Sequence, residues 1–161
     1  MFNKYQWKQP IYKEDLKPVL LNGIVFSILG GILAGLADYL CSLIGLGISF
    51  GLIIISYFVG KKVRESYYSY HILYPTLTIV FMLIGLLFSN IAINFIIFRN
   101  AAVIISMLKP MSILNILISP IKLVIYSVLA FDFINLFISL FNLAMYTFAF
   151  IYAYRVAKGR N

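Results

Sequence analysis

Few side chains in this sequence could do acid–base, nucleophilic or metal chemistry, and they lie far apart. There is one histidine, His71, one cysteine, Cys41, and only five Asp and Glu among 161 residues. A Cys–His or Ser–His–Asp arrangement needs contacts of ~3 Å between nucleophile, base and orienting acid. His71 sits among tyrosines (Tyr67, Tyr68, Tyr70 and Tyr74) just after a basic run, as a solvated interfacial anchor would. Asp38, Cys41 and Asp132 belong by their spacing to the opposite membrane side. So few acids make paired-carboxylate and metal sites equally poor, and one cysteine excludes an internal disulfide or a cysteine-based zinc site. The expectation is a chain that is not an enzyme, with no catalytic residues, no cofactor and no bound metal.

Two polar constellations remain. Asp38 lies on a narrow face with Gly23, Ser27, Gly31, Ala34 and Gly45. A carboxylate at bilayer depth costs ~3 kcal/mol unless paired or hydrated. It reads either as an ion- or proton-handling group or as a structural acceptor for a hydroxyl, an amide, Arg99 or Lys122. The second constellation is Asp132, Asn135, Ser139, Asn142 and Tyr146, spaced by three, four, three and four and continued by Ala149 and Ala153. These positions share one face of a helix. In lipid such a face must meet protein or water. It is expected to point into the bundle or onto a partner helix, with Phe141 and Phe148 turned outward. The alternative is the lining of a small pore.

The elements that hold these groups are membrane spans. Hydrophobic residues make up 63% of the chain and charged ones 11%, against roughly 25% charged in a soluble domain. Four apolar stretches approach or exceed the ~20 residues of a spanning helix: 19–44, 46–60, 72–98 and 133–154. The expected architecture is all-α: one transmembrane domain over 19–155 with four helices, a basic aromatic tail at 1–18 and a basic tail at 156–161. The tail has no apolar secretory core, and Pro18 is expected to open the first helix. A connector at 101–121 is interrupted by Lys109-Pro110 and Ser119-Pro120. Its Ser112, Asn115, Ser119 and Lys122 share a face, which predicts an interfacial or re-entrant helix.

Gly31-x-x-x-Gly35 and Gly47-x-x-x-Gly51 allow close backbone approach. Their position on consecutive helices predicts packing within the first hairpin rather than a homodimer seam. Basic residues set the orientation: the N-tail, Lys61, Lys62 and Arg64, and Arg155, Lys158 and Arg160 hold ten of the 13. By the positive-inside rule both termini face the cytoplasm. The formal charge of +8 thus reflects topology rather than nucleic-acid binding.

The glycine-rich hairpin leading into Val59-Gly60-Lys61-Lys62-Val63-Arg64, and the last helix ending Ala153-Tyr154-Arg155-Val156-Ala157, resemble a group of small uncharacterised bacterial four-span membrane proteins. Some members carry an N-terminal zinc ribbon, whose cysteines are absent here. The resemblance implies a bacterial inner-membrane protein and no particular activity. The functional expectation is a structural or accessory subunit that binds the bilayer and another membrane protein or itself. The alternative is a small oligomeric channel or transporter subunit with a polar path along the first and last helices.

Overall fold

A computed structural model describes residues 11–45, 50–99 and 105–159. Among the described residues the long helices follow in the order α1 (Lys13–Leu43), α2 (Gly51–Glu65), α3 (Leu73–Phe98), α4 (Pro110–Leu129) and α5 (Phe133–Lys158). The protein is all-α, and among the described residues four helices are long and apolar enough to cross a membrane: α1, α3, α4 and α5. Three of these, α1, α3 and α5, match expected spans, and α4 falls on the expected connector; residues 46–49 of the remaining expected span lie outside the described residues. The expected span 46–60 corresponds to α2, whose described helix has 15 residues and runs on through Lys61, Lys62 and Arg64. Charged side chains did not end it, because long basic stems keep their heads in water while the backbone stays helical.

Pro18 does not open α1. The helix begins five residues earlier at Lys13, with Glu14 and Asp15 in its first turn, where carboxylates complement the unpaired N–H groups of a helix start.

Contacts fix the directions. Asn22 donates to Ser66 at 2.8 Å and Gly51 abuts Ala34, so α2 is antiparallel to α1. Phe81 lies against Gly23 and Ser89 against Gly35, so α3 runs parallel to α1. Gly60 lies on Ala153 and the Tyr67 hydroxyl donates to the Ala157 carbonyl, so α5 runs with α2. The turn at 130–132 folds α4 back on α5 as an antiparallel hairpin, which sets α4 parallel to α1 and α3. The start of α1 and the end of α5 therefore share one end of the bundle.

The tightest seam is α1–α3, not α1–α2. A Cβ on Gly31 would collide with the Gly85 carbonyl oxygen, and one on Gly35 would come within 2.5 Å of the Ser89 carbonyl. The two glycines expected to close the first hairpin instead admit α3. Adjacency in sequence pointed to α2, but α2 takes the neighbouring side of α1, where Ile55 packs over Gly30. Gly51 does pack on α1, and Gly47 lies outside the described residues. Where lipid gives no hydrophobic drive, such backbone approach supplies the packing. Val19, Leu52, Val59, Val63, Tyr74, Phe81 and Met82 fill the space between these helices.

The connector is the largest departure. Instead of a break at Pro120, α4 continues through it for 20 residues. Proline cannot donate to the carbonyl four residues back, and the Ser119 hydroxyl donates to that Ile116 carbonyl at 2.7 Å instead. Lys109-Pro110 is the helix start, with Pro110 in the first turn. Leu117, Pro120 and Ile121, from the middle of α4, share an apolar cleft with Ile79, Leu83 and Leu86 of α3 and Leu143, Tyr146 and Phe150 of α5. Packed middle to middle, α4 lies at the depth of its neighbours rather than along a surface. Residues 101–104 of the expected connector lie outside the described residues.

Candidate functional site

Asp38 stands near the far end of α1, facing the start of α2. Its Oδ1 accepts from the Gly51 backbone N–H at 3.0 Å. Gly51 opens α2, and no side chain from the α2 N-cap, Phe50, bonds there. The first N–H groups of a helix lack intrahelical acceptors and carry a positive dipole end. Asp38 thus caps a neighbouring helix. Of the partners considered from sequence, an amide was the right kind, supplied by the backbone.

The α5 stripe changes character along its length. Asp132 is the N-cap, accepting from the Asn135 N–H at 3.0 Å and from its side-chain amide at 2.6 Å. These bonds hold the Asp132 carboxyl below the usual carboxylate range. Ser139 is buried, Asn142 and Tyr146 are half-buried, and Ala149, Ala153 and Ala157 are fully buried. Phe141 and Phe148 are exposed, so the stripe faces inward and the phenylalanines face out. Only its opening pair, Asp132 and Asn135, projects from the bundle.

A polar cluster at the opposite end escaped the sequence reading. Asp15 is buried and accepts from the backbone N–H groups of Tyr68 and Ser69 at 3.2 and 3.1 Å. Tyr67 stacks beside Tyr74 with ring centroids 4.9 Å apart, and the Arg64 guanidinium lies 4.9 Å from the Tyr67 ring. Burial pushes the Tyr67 hydroxyl up to about 12, against the opposing pull of Arg64. His71 is buried rather than solvated, contrary to expectation: Nδ1 accepts from the Leu73 N–H at 3.0 Å, and Nε2 has no hydrogen-bond partner. The loop folds back over α1, and Asp15 anchors it there. Spacing alone gave no sign of this, because the groups that hold Asp15 are main-chain amides. Lys61, Lys62, Arg64, Arg155 and Lys158 gather at this same end, while Arg160 lies outside the described residues.

This arrangement has clear chemical content. His71 occupies one end of the bundle and Asp38 and Asp132 the other. Among the described residues no three His, Cys, Asp or Glu side chains group as metal ligands. The polar groups of α1, α5 and the 66–72 loop chiefly cap helices and tie elements together. The polar face of α4 differs. Ser112, Asn115, Ser119 and Lys122 lie about half a turn around the helix from Leu117 and Ile121, and Ser127 is the one buried residue of α4.

The class that the fold defines is an all-helical, multi-pass membrane protein. Compared with protein-family models, curated proteins and solved structures, the chain matches none.

Proposed function

We propose that this chain is a non-enzymatic structural or accessory subunit of a membrane complex, in a bacterial plasma membrane, with both termini cytoplasmic. The observation that carries the reading is the outward face of α4. It is a helix of crossing length packed against the bundle along one side only, with an Asn and a Lys on its free side. A charged side chain at the centre of a lipid-facing helix costs ~3 kcal/mol, and a neighbouring protein would remove that cost. The inward orientation is supported by the basic residues gathered at the end where α1 begins and α5 finishes.

The test is mild detergent extraction from native membranes followed by mass measurement of the intact complex. The reading expects a mass well above the 18.3 kDa of one chain after detergent and lipid are subtracted. A solitary chain would overturn it. Reporter fusions after Arg64 and at the C-terminus should read cytoplasmic, and one at Asn100 external.

A further inference from the structure

We infer that the free face of α4 seats a transmembrane helix of another protein bearing a carboxylate at mid-bilayer depth. The inference rests on the accessory-subunit reading and names the partner's chemistry. Three observations lead to it. The first is depth: Leu117, Pro120 and Ile121 pack against the middles of α3 and α5, so the centre of α4 lies where those spans have their centres.

The second is the aim of the charge. Lys122 Nζ donates to Asn115 Oδ1 at 2.7 Å. That acceptor is two turns back toward the helix start, whereas the nearer helix end is Leu129. The ammonium therefore lies between the levels of Asn115 and Lys122, near the middle of a helix about 30 Å long. Lysines that merely anchor a span extend toward the nearer interface. This one extends away from it, and Asn115 takes one of its three N–H donors.

The third is the disposition of the chain's own acids. Asp38 binds the start of α2, Asp132 binds Asn135, and Glu65 pairs with Lys62 at 2.8 Å. Asp15 is taken by Tyr68 and Ser69, and Glu14 lies beside it in the first turn of α1. None faces Lys122. A second copy approaching α4 to α4 would bring two Lys122 ammonium groups together, a like-charge contact that disfavours association. An acidic helix supplies the opposite sign, and Ser119 and Asn115 offer hydrogen bonds beside it. Interhelical pairs of this kind mark most charged groups found within membrane spans.

The test reconstitutes the full chain in phosphatidylcholine vesicles with a fluorescent poly-leucine transmembrane peptide carrying one central Glu. Association is read by energy transfer and compared with peptides carrying Gln or Leu at that position. The Glu peptide should associate about ten-fold more tightly. That preference should disappear in Lys122→Leu and persist in Lys122→Arg. Equal association of all three peptides, or a preference that survives Lys122→Leu, would overturn the inference.

A second measurement locates the group. In a Cys41→Ser background, Lys122→Cys should resist a membrane-impermeant maleimide. Rapid labelling would place position 122 among headgroups and overturn the proposal in favour of a lipid-phosphate contact. A homodimer that Lys122→Leu dissociates would overturn it in favour of a second copy. A complex from native membranes that keeps its mass in Lys122→Leu sinks only this seat. A wild-type chain extracted alone sinks the subunit reading itself, whatever the peptide assay gives.

Discussion

Asp38 and Gly51, on different helices, are joined by a carboxylate-to-amide hydrogen bond of 3.0 Å that closes the start of α2. The acceptor is thirteen residues upstream, so the cap is tertiary rather than local. Asp38→Asn keeps an acceptor oxygen and should retain most of the stability. Asp38→Leu removes it and should cost about 1–2 kcal/mol, the scale of a lost cap. Unfolding of the purified protein by graded SDS in mixed micelles checks both. Equal losses for the two variants would show that the charge, not the acceptor, is what α2 needs.

The α1–α3 seam makes opposite predictions for two glycines on its two sides. At Gly35 an added methyl meets the Ser89 carbonyl at 2.5 Å, whereas at Gly85 the nearest atom is an ordinary 3.4 Å away. Gly35→Ala should destabilise by about 1–3 kcal/mol through overpacking. Gly85→Ala should be neutral, or stabilising by up to about 1 kcal/mol from helix propensity. The yield of folded protein and the SDS midpoint of each variant decide the matter. A tolerated Gly35→Ala would mean that α1 and α3 lie farther apart.

Alkaline titration reports on the 64–74 end of the bundle. The folded Tyr67 hydroxyl ionises at about 12 against an ordinary 10.0. With the folded value raised, the stabilisation of the neutral form is fully present below pH 10 and is lost as pH rises toward 12. The tyrosinate difference spectrum between wild type and Tyr67→Phe should thus contain a transition near pH 12. Across that window wild type should lose stability relative to Tyr67→Phe. A difference transition near 10 would show that the Tyr67–Ala157 contact is open.

On α5, Asn142→Leu should change stability by only ~0.6 kcal/mol, the mean for interhelical hydrogen bonds in membranes. Replacing Asn135, Ser139 and Asn142 together should disturb assembly, because the inward face loses Ser139 and Asn142 while the Asp132 cap loses the Asn135 side-chain amide. Thermal aggregation of the single and triple variants in detergent tests the difference. A stable triple variant would mean the stripe serves neither packing nor partner.

The architecture was legible where composition alone decides it. Apolar length marked α1, α3 and α5, and periodicity assigned the inward face of α5, with Ala149 and Ala153 buried as its continuation. What could not be read were events that depend on a particular neighbour. Ser119-Pro120 looks like a helix break until the serine hydroxyl is found holding the carbonyl that proline leaves free. Gly31 and Gly35 announce close packing, but their spacing does not name the helix that arrives. Asp15 is one acid in a lysine-rich tail, and its partners are main-chain amides with no residue-type signature. His71 follows the same logic, since the loop that buries it is ordered by Asp15.

The parallel α1–α3 seam also imposes a timetable on synthesis. The glycine face of α1 leaves the ribosome roughly fifty residues before Gly85 and Ser89. At 5–20 residues per second, it waits for about three to ten seconds in the bilayer, with α2 beside it but that face bare. A small-residue face left open in lipid for seconds invites whatever small-faced helix is nearby. During that interval the seam forms only if the α1 face stays unoccupied, or exchanges a passing helix for α3, until Gly85 and Ser89 arrive.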